Sequence, residues 1–102
     1  MRIDWSATAV ADLQSLRDYI AQDSPYFARR FTERIIAAVA KLKDFPKIGR
    51  NVPEARRNGV RELIFQGYRI VYLIEPERIL ILTIVHGSRD LMRRARKPWE
   101  VD

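Results

Sequence analysis

Three groups of side chains in this sequence have chemistry beyond packing. Arg69 stands in the string Gly67-Tyr68-Arg69-Ile70-Val71-Tyr72. Its planar fork can hold a phosphate or a carboxylate through two bonds, which a lysine does less specifically. The segment His86-Gly87-Ser88-Arg89-Asp90 contains the chain's one histidine, the side chain whose ordinary pKa lies closest to neutrality and the natural first candidate for proton transfer. Beyond it, Arg93, Arg94, Arg96 and Lys97 precede Trp99, a combination of charge and aromatic surface suited to nucleic-acid or protein contact. Each group also has a plainer reading. Arg69 can pair with Glu62 or Glu75 as a solvated ion pair of little energetic weight. His86, with no evident partner to orient it, reads first as a hydrogen-bonding residue at a strand end. The tail reads equally well as the charged end of a helix. Ser88 lacks the strand-elbow-helix context that would make it a nucleophile.

Composition excludes several other chemistries. The 102 residues contain no cysteine and a single histidine, which removes disulfides, thiolate metal sites and histidine clusters. Glu54, Glu62, Glu75 and Glu77 show no convergent spacing that would suggest a glycosidase or a metal site. Gly49, Gly59, Gly67 and Gly87 are too far apart to cradle a phosphate and read as turn residues. No cofactor and no small-molecule substrate are expected. Nineteen Lys and Arg against thirteen Asp and Glu give a net charge of +6 and a pI near 10.2, which favours polyanions or acidic proteins as partners. The first residues do not resemble a secretory signal, and the most apolar run, Ile79 to Val85, is too short to span a bilayer. A cytoplasmic chain without a membrane role is the expectation.

The elements that must position these side chains follow from periodicity. A short strand over Arg2 to Trp5 leads to Ser6, a helix cap, and then to Ala9, Leu13, Leu16 and Ile20 at helical spacing, with Asp12 and Asp18 elsewhere on the helix. Asp23-Ser24-Pro25 restarts a second helix running to about Asp44, with Ala28, Phe31, Ile35, Val39 and Leu42 in one stripe. So short a connection makes the pair an antiparallel hairpin. The stretch from Phe45 to Gly59 is basic, polar and predicted to be a loop. From Val60 onward, β-branched and aromatic runs broken at Gln66-Gly67 and Pro76-Glu77 predict three antiparallel strands. Alternation in the middle strand puts Tyr68, Ile70, Tyr72 and Ile74 on one face and Arg69, Val71 and Leu73 on the other. If the helices cover the tyrosine face, Arg69 points to an uncovered one. The result is one α+β domain over residues 1–102, a helical hairpin packed on a small antiparallel sheet.

The order of these elements resembles the RelE/ParE superfamily of type II toxins over nearly the whole chain. So do the strings Ala11-Asp12-Leu13, Tyr19-Ile20-Ala21, Phe45-Pro46 with Gly49-Arg50, Gly67 to Tyr72 and His86 to Leu91. The resemblance implies a toxin neutralised by a small cognate antitoxin. It also implies one of two targets: the 70S ribosome with its mRNA, which RelE-like members cut, or DNA gyrase, which ParE-like members poison by binding. Arg69 and Arg89 match the arginines of the strand and of the segment after the last strand. The tail tyrosine of the best-known RNase branch has no counterpart, because Tyr19, Tyr26, Tyr68 and Tyr72 all precede His86. An RNase would therefore rely on Arg69, Arg89 and His86. The string from His86 to Met92 looks closer to ParE-like tails, implying gyrase inhibition through Arg69, His86, Arg89, Asp90, Arg93, Arg94, Arg96, Lys97 and Trp99. A degenerate member that only binds its antitoxin is the third alternative.

Overall fold

The computed structural model describes residues 1–88, 91–93 and 96–100. Strand β1 (Arg2–Trp5) leads into helix α1 (Ala7–Ala21), and α2 (Pro25–Ala40) ends in a 3-10 turn, Lys41–Lys43. The sheet strands that follow are β2 (Arg50–Asn51), β3 (Val60–Phe65), β4 (Tyr68–Ile74) and β5 (Arg78–His86), with a second 3-10 turn at Leu91–Arg93. Both helix starts are set by serine. The Ser6 and Ser24 side chains accept from the amides of Ala9 (3.0 Å) and Phe27 (3.1 Å), and Pro25 occupies the first turn of α2, where a missing N–H leaves nothing unsatisfied.

The predicted helical hairpin, the first strand and the three-strand meander are all present, but the sheet has five strands in the order β1-β5-β4-β3-β2. β1 lies parallel to β5 and the other pairs are antiparallel. Two residues of the expected loop, Arg50 and Asn51, form β2 against Glu62 and Arg61. So short a polar strand carries no alternation to read. Gln66 (φ 47°) and Gly67 (φ 84°) both have positive φ, as a two-residue hairpin turn with the twist of its strands requires.

A bulge interrupts the β4–β5 ladder. Val71 faces Thr83 and Tyr72 faces Ile81, leaving Leu82 as an extra residue. Around it, Ser6 and α1 bond to β5 past the end of β1. Ser6 Oγ donates to the Leu82 carbonyl (2.9 Å), the Ile84 amide donates to Asp12 Oδ2 (3.0 Å), and the Thr83 hydroxyl donates to the same oxygen. Asp12, placed by periodicity merely away from the apolar stripe, thus ties α1 to the edge of β5 where β1 has ended.

The helices bury their stripes against one face of the sheet, where Phe31, Ile35, Val39 and Leu42 meet Ile70, Tyr72, Ile79, Ile81 and Ile84. Tyr72 is fully buried, yet its hydroxyl donates to the Pro46 carbonyl (2.8 Å) and accepts from the Gly49 amide (3.0 Å). A Cβ on Gly49 would lie 2.5 Å from that hydroxyl and 2.6 Å from the Glu62 carbonyl oxygen, so only glycine fits. Gly49 and Gly87 are therefore glycines of close approach, whereas Gly59 and Gly67 serve the predicted turn role with positive φ.

The other face is not open. Val60, Val71, Leu73, Leu80, Leu82 and Val85 pack under Val52 and under Leu91 and Trp99 from the C-terminal segment, forming a second core. The alternation assigned the faces of β4 correctly, but the expected exposure of its second face is wrong. The segments that cover it have no periodicity of their own.

Candidate functional site

Arg69 lies on this second face and is only 5% exposed, which corrects its expected position on a surface facing water. Its Nε donates to Glu62 Oε1 (2.6 Å), and its two terminal nitrogens form a fork onto Glu54, at 2.9 and 2.7 Å. Glu62 is held on its other oxygen by Arg50 Nε (2.7 Å). Glu54 Oε2 also accepts from the Leu91 amide (3.2 Å), which pins the C-terminal segment over the network. Among the described residues, two arginines and two glutamates thus alternate in a chain, Arg50–Glu62–Arg69–Glu54. The Arg69 guanidinium, with help from the Leu91 amide, holds the Glu54 carboxyl down at about 2, against burial, which pushes it up. Glu54 and Glu62 raise the pKa of Arg69 in turn.

Of the two expected partners, Glu62 is one, while Glu75 turns instead to Arg78 (2.6 Å). Glu62 was within reach of sequence reasoning. Once the Gln66-Gly67 turn pairs Phe65 with Tyr68, Ile64 faces Arg69 and Glu62 sits diagonal to it on the same side. Glu54, in an irregular segment, gave no signal.

His86 and Arg69 lie near the same end of β5 and β4 but face opposite ways. His86 pairs with Tyr68, and its ring meets the Tyr68 ring edge-on at 5.7 Å on the helix side. It is exposed. The Ser88 amide donates to its Nδ1 (3.3 Å), and Ser88 Oγ lies 2.8 Å from the same nitrogen. An accepting Nδ1 places the proton of the neutral ring on Nε2. Among the described residues no carboxylate orients this ring. Gly87 closes the corner, its amide donating to the Gly67 carbonyl (2.7 Å).

The proposed target-facing tail divides. Trp99 is 8% exposed, belongs to the second core, and accepts from Arg57 Nη1 through its carbonyl (2.8 Å), so it is a packing residue and not an exposed anchor. Arg96 is exposed and donates to the Glu100 carbonyl, and Lys97 is half-buried. Arg89, Asp90 and Arg94 lie outside the described residues, as does the side chain of Arg93.

Two concave features mark the surface. An apolar groove of about 340 Å³ runs between α1 and α2, lined by Trp5, Val10, Leu13 and Ile36. Val10 and Ile36 are exposed there at 41% and 48%. Beside β2 and the start of β3 lies a polar concavity of about 480 Å³, rich in arginine. Among the described residues no cluster of metal-ligating side chains occurs, and no helix is long and apolar enough to cross a membrane.

Comparison with known proteins places these features in context. A family model described as the ParE toxin of the type II toxin-antitoxin system parDE matches residues 3–91. Toxin RelE2 of Caulobacter vibrioides is 33% identical over 88 residues, covering 86% of this chain and 97% of that protein. Putative toxin Y4kP of Sinorhizobium fredii is 36% identical over 90 residues, covering 86% and 90%. Among solved structures, the chromosomal ParDE toxin-antitoxin system from P. aeruginosa superposes with a TM-score of 0.73 at 25% identity, over 86% of this chain and 97% of that one. The RelBE2 toxin-antitoxin complex from Mycobacterium tuberculosis shares the fold, with a TM-score of 0.60 at 23% identity over 83% and 95%.

Proposed function

We propose, for a chain that belongs to the ParE toxin family of type II toxin-antitoxin systems, that it acts in the cytoplasm by binding and disabling DNA gyrase and does not cleave RNA. The observation that carries this reading is the condition of Arg69. Cleavage of a phosphodiester needs cations aimed at the scissile phosphate and a group to manage the leaving proton. Arg69 directs its fork at Glu54 and its Nε at Glu62, beneath the C-terminal segment. His86 is on the opposite face of the sheet, so the two do not converge on one phosphate. A surface that grips a protein needs no such convergence.

A cognate antitoxin is the second partner in this reading. Its apolar residues suit the groove between α1 and α2, where Val10 and Ile36 are exposed, and its acidic residues suit the net charge of +6. The purified chain is expected to block supercoiling by gyrase at concentrations that leave cell-free translation intact. Normal supercoiling at a growth-inhibiting concentration, together with codon-positioned mRNA cuts on programmed ribosomes, would replace gyrase with the ribosome. Harmless overexpression without the antitoxin would identify a member that has lost toxicity.

A further inference from the structure

The cations of this chain divide by what holds them. Arg2, Arg50, Arg69 and Arg78 rest on carboxylates, those of Asp4, Glu62, Glu54 and Glu75. Arg57 and Arg61 are held differently. Arg61 Nη1 donates to the Gly49 carbonyl (2.7 Å) and to the Lys47 carbonyl (3.5 Å), and Arg57 Nη1 donates to the Trp99 carbonyl (2.8 Å). A carbonyl orients a guanidinium without cancelling its charge. Both arginines line the 480 Å³ concavity together with Lys47, Arg56, Asn51 and Asn58, and among the described residues no carboxylate lines it. The glutamates of this stretch, Glu54 and Glu62, are engaged on Arg69 and Arg50. Among the described residues the concavity therefore gathers four positive charges, two of them held in place, and no negative one.

We propose that this concavity docks the phosphodiester backbone of duplex DNA. Arginine forks and asparagine amides are donors that fit phosphate oxygens. A protein partner is disfavoured because the lining offers no aromatic or long exposed apolar side chain to form the dry centre of an interface. A single strand is disfavoured for a related reason, since such ligands are held by stacking bases on aromatic rings, which the lining lacks. The choice of DNA over RNA rests on the gyrase reading, because a toxin seated on gyrase works beside the DNA segment that enzyme holds. Contacts of this kind position the protein on the duplex without reading its sequence and weaken steeply with salt.

The test is fluorescence anisotropy with a labelled mixed-sequence duplex of about 20 base pairs, titrated with the purified chain from about 50 to about 200 mM salt. Lys47→Gln with Arg56→Gln removes two cations that make no ion pair among the described residues, so folding is preserved, and the salt slope is expected to fall by about 2 with affinity at least about tenfold lower. Arg57→Gln with Arg61→Gln extends the loss, with circular dichroism checking its fold. Arg29→Gln with Arg30→Gln, on the exposed face of α2, removes the same charge elsewhere and is expected to change affinity by no more than about threefold. An equal loss in the α2 control, or no binding at low salt by the unaltered chain, overturns the proposal. Duplex RNA bound about tenfold more tightly than DNA overturns the choice of DNA. Because gyrase is absent from this assay, the proposal fails here while the gyrase reading fails only in the supercoiling assay.

Discussion

The two faces of the sheet are built by opposite means. Under the helices, burial is apolar and periodic: two stripes at helical spacing meet alternating isoleucines, and the one buried polar side chain of β4 on that side, Tyr72, finds both its partners in the Pro46–Gly49 turn. Under the C-terminal segment, a smaller apolar cluster adjoins a chain of four alternating charges that includes Glu62 at 1% exposure and Arg69 at 5%. The first face follows the hydrophobic effect, which tolerates many sequences of similar volume. The second depends on each charge keeping its partner, because removing one partner leaves an uncompensated buried ion. The face that carries the family's matching arginine is thus the less forgiving one.

That contrast predicts its own largest effect. Arg69→Ala is expected to destabilise the fold by about 3–5 kcal/mol by leaving Glu54 without its main cation and Glu62 with only Arg50. Denaturant unfolding monitored by circular dichroism measures it. A loss under about 1 kcal/mol would mean that the network adds little and that Arg69 is free for a target. Any loss of toxicity in this variant is therefore uninterpretable without a stability measurement. Arg69→Met, an apolar replacement, tests whether the charge itself is needed; a fold as stable as the unaltered chain's would place the network among buried ion pairs that apolar packing can replace.

Next in size is Trp99→Ala, which removes the aromatic lid of the second core and is expected to cost about 3 kcal/mol. Its signature is local. Amide exchange should rise at Leu91, whose N–H is held by Glu54, before it rises in the helices. Uniform loss of protection would show that the tail and the helical core unfold as one unit.

The legibility of the chain divides along the same line. Helix starts at Ser6 and Ser24, the stripe from Ala28 to Leu42 and the turn at Gln66-Gly67 were readable because each is a local rule with a local cause. The faces of β4 were readable for the same reason. What covers the second face was not, since Val52, Leu91 and Trp99 come from irregular segments far apart in sequence. β2 was too short to show a period, and the bulge at Leu82 shows only in the register of β4 on β5, with Ser6 bonding to the Leu82 carbonyl and Asp12 to Thr83 and Ile84 beyond it. Of the candidate site, the pairing of Arg69 with Glu62 was legible, since both stand on neighbouring strands of one hairpin. The burial of Trp99 was not, because an aromatic beside four cations looks the same whether it faces a partner or the core.

Acidity probes the second face without mutation. Glu54 has its carboxyl lowered from 4.5 to about 2 in the folded chain, so the stability it contributes is complete above pH 4.5 and is lost as pH falls toward 2. The difference in melting temperature between the unaltered chain and Glu54→Gln should therefore be constant near neutrality and shrink across that window. A difference that stays constant down to pH 2 would show that Glu54 contributes packing and not charge.

The smallest expected effect belongs to the helix face. Tyr72→Phe keeps the ring and deletes a hydroxyl that donates to the Pro46 carbonyl and accepts from the Gly49 amide. The loss should be about 1–2 kcal/mol, since one donor and one acceptor lose their shared partner in a turn that retains some access to water. Charge plays no part in this contact, so the loss should be the same at pH 4 and pH 7, unlike that of Glu54→Gln. Urea unfolding at the two pH values decides it. A Tyr72→Phe penalty as large as that of Arg69→Ala would break the contrast between the faces, by showing that the Phe45-Pro46 to Gly49-Arg50 turn depends as heavily on one buried polar contact as the arginine network does.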